Sequence, residues 1–265
     1  MDLTDAYENG AYIPDAASYP PRWEAEAAAF RARMAGRSEM DQPYGPDPRQ
    51  RMDLFFPPET PLGLVVFIHG GYWLKFDKSY WSHLAAGAVK RGWALAMPSY
   101  RLAPQVRISQ ITRDIAEAVA VASDEVAGPI VVTGHSAGGH LAARMACAGV
   151  LPEPVVARIR RVVPISPLSD LRPLMQTDMN AELEIDPAEA EAESPMLAAM
   201  RPGIDAVVWV GADERPAFLD QARWLCDAWD RTRLHIAPSR HHFDVIDGLG
   251  DPNSALTCDL LEGVI

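Results

Sequence analysis

The chain has 265 residues, with 24 Lys and Arg against 36 Asp and Glu, for a formal net charge of −12. A composition 48% hydrophobic and 23% charged belongs to an ordinary globular protein rather than a disordered or fibrous one. The acidic balance argues against a nucleic-acid binder, which needs a basic face for phosphates, and the length suffices for one well-filled core. The first ten residues are polar and acidic, without a basic stretch leading into an apolar one, and no apolar run approaches the roughly 20 residues of a membrane helix. Three sparse cysteines, Cys147, Cys226 and Cys258, form no CxxC and suit a reducing compartment. The expected location is therefore cytoplasmic, with no membrane partner.

In chain order, the first sixty residues are punctuated by prolines at 14, 20, 21, 43, 46, 48, 57 and 58. Between them the Ala-rich stretch 22–33 predicts one helix among loops, so residues 1–50 read as a helix and loops packing on the core. Apolar runs predict strands over 52–56, 64–68 and 93–97. A helix over 108–123, a strand over 130–133, a helix over 137–148 and a strand over 161–165 follow. The pattern resumes with a strand over 206–210, a helix over 217–229, a short strand over 234–237 and a helix after Pro252. Continuous apolar strands alternating with amphipathic helices predict an α/β fold, a mostly parallel sheet covered by helices on both faces, in one domain spanning 1–265. The acidic segment 181–194, with Asp186-Pro187 as an N-cap and first helical residue, falls between strands. It reads as an excursion above the sheet, either a solvated acidic helix or a wall of a substrate pocket.

Gly134-His135-Ser136-Ala137-Gly138 is a G-x-S-x-G pentapeptide, following one predicted strand and opening a helix. A sharp strand-to-helix turn lifts a serine hydroxyl above a helix N-terminus, and glycine neighbours avoid the collisions such a turn creates. Ser136 is accordingly the candidate nucleophile. Acyl transfer also needs N–H groups aimed at the developing oxyanion. Ala137 is placed to supply one, and Gly71 and Tyr72, in the His69-Gly70-Gly71-Tyr72-Trp73 loop after strand 64–68, are placed to supply others. His69 reads as a brace for that loop. Tyr72, Trp73 and Phe76 are the candidate aromatic wall of the pocket.

Serine needs a histidine base, and that base needs a carboxylate. Among seven histidines only His241 and His242 lie in a loop after a late strand. His242 is preferred because it precedes Phe243 and opens the final amphipathic run; His241 is the alternative. After strand 206–210 come Gly211-Ala212-Asp213-Glu214. Glu214, three residues past the glycine, is the preferred acid and Asp213 the alternative, since adjacent side chains diverge in an extended loop.

These residues resemble the esterase-type α/β-hydrolases, and more narrowly the arylformamidase (kynurenine formamidase) group. The resemblance rests on HGGYW at 69–73, GHSAGGH at 134–140, SPLSDLRP at 166–173, ERPAF at 214–218 and His242-Phe243, and runs from about 53 to 246. Residues 100–104, YRLAP, are similar to a stretch of the wider hormone-sensitive-lipase-like esterases. The acidic-residue–x–Pro–x–Phe pattern supports Glu214, although the group's acid can be aspartate. The resemblance implies an α/β-hydrolase fold with a small cap at about 168–200, after that fold's sixth strand. It also implies hydrolysis of a small aromatic N-formyl amide of the N-formylkynurenine kind, with a general carboxylesterase for short acyl esters as the alternative. An acidic lid in that place would disfavour anionic substrates. No HExxH, paired CxxC, Walker loop, GxGxxG or histidine-rich HxGTHxDxP pattern occurs, so no metal and no other cofactor is expected. The expected partner is a small acyl or formyl substrate, and a homodimer is the candidate assembly.

Overall fold

A computed structural model describes residues 2–265. Eight strands form one sheet: β1 Ser38–Pro43, β2 Arg51–Phe55, β3 Leu64–Ile68, β4 Ala94–Pro98, β5 Ile130–His135, β6 Ile159–Ile165, β7 Asp205–Gly211 and β8 Thr232–Ala237. Their spatial order is β1-β2-β4-β3-β5-β6-β7-β8. The first two pairings are antiparallel, and every pairing from β4-β3 to β7-β8 is parallel.

Strand β3 shows why these segments are continuously apolar. Leu64, Val66 and Ile68 enter a core on one face with the Ile108–Glu125, Ala137–Met145 and Pro216–Ala228 helices. Val65 and Phe67 enter a second core on the other face, with Trp23 and Phe30 of the Tyr19–Arg33 helix and Leu256 and Leu260 of the Ala255–Leu261 helix. Side chains alternate across the sheet, and both faces are covered, so no position is left for a polar residue. Each such residue contributes about 1.5–3 kcal/mol of apolar burial. Among the described residues, no helix is long and apolar enough to cross a membrane.

Two expectations need correction. Strand β1 was hidden in the stretch read as loop: its sequence SEMDQP is polar, and every residue in it is at least partly exposed. It is an edge strand, added antiparallel to β2 outside the core, and so carries no apolar alternation. The 168–200 excursion is present as short helices, including Asn180–Leu183 and Pro187–Glu193, but it does not form a wall beside Ser136. Two of its acidic residues, Glu189 and Glu193, turn inward against the 108–125 and 137–145 helices, while Glu182, Glu184 and Glu191 are exposed. Glu193 is buried, accepting from Thr112 Oγ1 at 2.7 Å and Arg144 Nε at 3.0 Å. Glu189 accepts from Arg107 Nε at 2.6 Å and from the Ser109 N–H at 3.0 Å. These carboxylates neutralise buried or half-buried arginines instead of charging a lid.

Candidate active site

Strand β5 ends at His135, and the Ala137–Met145 helix begins two residues later. Ser136 between them has φ 58° and ψ −119°, a left-handed backbone rare for a residue with a Cβ. The turn is anchored by the Ser136 N–H donating to the Ile165 carbonyl at 2.8 Å. Gly138 allows it: a Cβ there would lie 2.0 Å from the Ile68 carbonyl oxygen and 2.5 Å from that of His69. The helix can therefore press its N-terminus against the end of β3, where the loop of residues 69–73 starts.

His242 lies in the loop after β8, and Glu214 in the loop after β7. The His242 Nδ1–H donates to Glu214 Oε2 at 2.6 Å, and Ser136 Oγ lies 3.0 Å from His242 Nε2. All three residues are buried, with Ser136 3% and His242 3% exposed. The carboxylate is itself held. Glu214 Oε1 accepts from the Gly211 N–H at 2.8 Å and from the Ser166 hydroxyl. The imidazole ring is packed between Phe218, with centroids 4.4 Å apart, and His135, at 4.6 Å. Burial pushes the His135 pKa well below the usual range, so a neutral ring faces His242.

The two alternatives fall outside this chain of hydrogen bonds. Asp213 is exposed, and its backbone N–H ties to the Arg240 carbonyl at 2.9 Å. His241 points to the Tyr19 hydroxyl at 3.0 Å and to Asp244. Ser166 carries no mark in the sequence beyond opening the SPLSDLRP stretch; with φ 48° it too is held in a left-handed conformation, donating to Glu214.

The HGGYW loop reaches the same place. His69 is fully buried, stacks on Tyr100 at 4.3 Å, and places Nδ1 2.8 Å from the Gly70 carbonyl. Burial lowers its pKa to about 4, so it braces the loop as a neutral ring. Gly71 has φ +120°, and a Cβ there would stand 2.4 Å from the Lys75 carbonyl oxygen. Among the described residues, no acceptor engages the N–H groups of Gly71, Tyr72 or Ala137. The Ala137 N–H is the first of its helix and has no intrahelical partner by construction.

Ser136 and His242 open into a cleft of about 220 Å³ lined by Trp23, Tyr72, Phe76, Trp81 and Phe243, with Glu8 and Lys75 also on its walls. Tyr72 and Phe76 line this cleft, and Trp73 does not. Trp73 is fully buried behind the loop, edge-on to His140 at 5.2 Å. Its place on the wall is taken by Trp23 and Trp81, whose rings lie 4.6 Å apart, with Phe243 5.5 Å from Trp23. Trp23 comes from the Tyr19–Arg33 helix, so the N-terminal segment, not the 168–200 excursion, covers the cleft. A signal existed: Trp23 is a large aromatic early in an Ala-rich helical stretch, but nothing in the sequence pairs it with position 243.

A solved structure from Silicibacter sp. TM1040, provisionally named as a thioesterase, is 57% identical over 98% of this chain and 99% of its own. Its TM-score is 0.96. The chain belongs to the α/β-hydrolases. Within this superfamily it is similar to arylformamidases and esterases. The BD-FAE family matches residues 52–182. Kynurenine formamidase of Danio rerio is 29% identical over 88% of this chain and 84% of its own length. An esterase of Pyrobaculum calidifontis shares the fold, with a TM-score of 0.66 at 19% identity over 92% and 90% of the two chains. As an α/β-hydrolase, the chain is an enzyme of hydrolytic type, and the strand-end position of its cleft is where such sheets carry their ligands.

Proposed function

We propose that the chain is a serine hydrolase whose substrate is a small aromatic N-formyl amide. The observation that carries the reading is the unbroken chain Ser136 Oγ, His242, Glu214, which opens onto an aromatic-walled cleft. Ser136 Oγ attacks the formyl carbon while His242 Nε2 takes its proton, and Glu214 holds the imidazolium through Nδ1. The N–H groups of Gly71, Tyr72 and Ala137 receive the oxyanion. His242 then returns the proton to the departing aniline nitrogen as the C–N bond breaks. Water, deprotonated by His242, attacks the formyl ester on Ser136 and releases formate and the free serine.

Trp23, Phe76, Trp81 and Phe243 suit a flat aromatic leaving group, and a formyl group needs little acyl space in a cleft of about 220 Å³. The kynurenine formamidase relatives, similar over most of both chains, favour the same class. The second reading, hydrolysis of short acyl esters or thioesters by the same residues, is favoured by the name of the 57% identical relative. The deciding comparison is kcat/KM for N-formylkynurenine against a p-nitrophenyl acyl ester series and a short acyl thioester. The formamide is expected to match or exceed the best of the others. A formamide value orders of magnitude below the best ester or thioester assigns the second reading.

A further inference from the structure

Residues 3–12 run across the site as a strap tied at several points. At one end the Leu3 N–H donates to the Gln176 carbonyl at 2.9 Å, and the Asp178 N–H donates to Thr4 Oγ1 at 2.9 Å. Arg215, next to Glu214, binds Asp5 Oδ2 at 2.6 Å and lays its guanidinium 3.6 Å from the centroid of the Tyr12 ring. Gln221 Nε2 donates to the Tyr7 hydroxyl at 2.9 Å. Between these ties the strap meets the oxyanion loop at one atom. The Tyr72 hydroxyl donates to the Tyr7 carbonyl at 3.2 Å and accepts from Asn9 Nδ2 at 3.2 Å. Asn9 is 1% exposed, an unusual position for an asparagine that had no task.

The loop needs holding there. Tyr72 and Trp73 are consecutive non-glycine residues in the left-handed region, with φ 57° and 60°, a conformation that persists only when its surroundings over-determine it. The core holds Trp73, whose ring is fully buried and whose carbonyl accepts from the Ala103 N–H at 2.9 Å. Tyr72 faces the cleft instead, and among the described residues its hydroxyl bonds only to the strap. The peptide that carries the Tyr72 N–H, which the proposed mechanism aims at the oxyanion, is held at its Gly71 carbonyl by the Leu74 N–H at 2.9 Å and the Lys75 N–H at 3.0 Å, while the Tyr72 side chain, which sets the other end of this residue, is held from the solvent side by Asn9 and Tyr7.

We infer that Asn9 is a positioning residue of the active site, holding the Tyr72 side chain, with the Tyr7 carbonyl, so that the Tyr72 N–H is set for the oxyanion. The inference rests on the serine-hydrolase reading above. It makes the N-terminal strap part of the catalytic apparatus, not a cover over it, because its contact is with the residue that meets developing charge.

The test uses the full chain with p-nitrophenyl acetate as substrate and phenylboronic acid as inhibitor, which forms a tetrahedral adduct on an active serine. Asn9→Ala is expected to lower kcat roughly tenfold, less than the 10²–10³ for outright loss of an oxyanion donor. KM should stay within threefold, and the phenylboronic acid Ki should rise by about the factor lost in kcat. Tyr72→Phe, which keeps the backbone N–H and the ring, should give the same pattern, and the double variant should be no worse than either single one. If Asn9→Ala does not fold, Tyr72→Phe alone decides. A kcat and a boronate Ki within twofold of the parent, or a loss confined to KM, overturns the inference. Ser136→Ala, measured alongside, separates the two failures: an active Ser136→Ala defeats the serine reading, whereas an inactive one beside a fully active Asn9→Ala defeats only the role of the strap.

Discussion

Ser136, His242 and Glu214 each carry a constraint that their residue types alone do not express. Ser136 stands at a positive φ, Glu214 accepts from both Ser166 and the Gly211 N–H, and His242 is wedged between Phe218 and His135. A histidine so packed cannot turn its ring, so its tautomer is set by the carboxylate at 2.6 Å. An amide in place of that carboxylate would keep the geometry but present the wrong hydrogen-bonding partner. Glu214→Gln is therefore expected to reduce kcat by about 10⁴, while Asp213→Asn, exposed and turned away, should stay within twofold. Steady-state kinetics on the two variants check this, and a crippled Asp213→Asn beside an active Glu214→Gln would reverse the assignment. The choice between these neighbours was already weighted in the sequence by the reach of three residues from Gly211. The preference for His242 over His241 rested on Phe243; in the structure His241 bonds instead to Tyr19 and Asp244.

At the scale of elements, the sequence was most legible where burial dictates composition. Strands β3 to β7 are apolar on both faces and were readable to within two residues at most ends, as was the 108–125 helix. Strand β1 was not, because an edge strand with both faces toward solvent need not alternate. The strap and Trp23 were not legible either, since a segment's contact across the cleft leaves no periodic mark on it. The acidic excursion was misjudged for a related reason: Glu189 and Glu193 look like solvent-facing helix residues until Arg107 and Arg144 are seen beneath them. Removing Glu193 would strand the Arg144 guanidinium, 10% exposed, without its carboxylate. Glu193→Ala is expected to cost about 3–5 kcal/mol, and Glu191→Ala, on the exposed side of the same helix, less than about 0.5 kcal/mol. Urea unfolding of the two variants measures the difference, and equal midpoints would show that the excursion is not anchored by this pair.

For the molecule as a whole, the net charge of −12 bears on substrate choice less than the sequence implied, because the acidic excursion does not line the cleft, two of its carboxylates pair with Arg107 and Arg144, and the cleft walls are mainly aromatic. Its pH response is set by buried groups. Burial lowers the pKa of His69 and His83 to about 4 and that of His140 to about 3, from 6.5. As the pH falls below about 6.5 the unfolded chain takes up protons there that the folded chain does not, so stability is full above that pH and declines toward pH 4. Asp247, raised to about 6 by burial, and Asp53, also raised by burial, act in the opposite sense, but as two carboxyls against four histidines once His135, likewise lowered by burial, is included. The melting temperature should therefore fall steadily from pH 7 to pH 4, and a flat or rising profile would contradict this balance. The proposed reaction starts at one oxygen atom, Ser136 Oγ, and removing it is the most direct measurement: kcat/KM of Ser136→Ala with N-formylkynurenine and with p-nitrophenyl acetate, on protein whose melting temperature matches the parent. A loss of at least about 10³ is expected on both substrates, and activity within tenfold of the parent on either would contradict a Ser136 nucleophile.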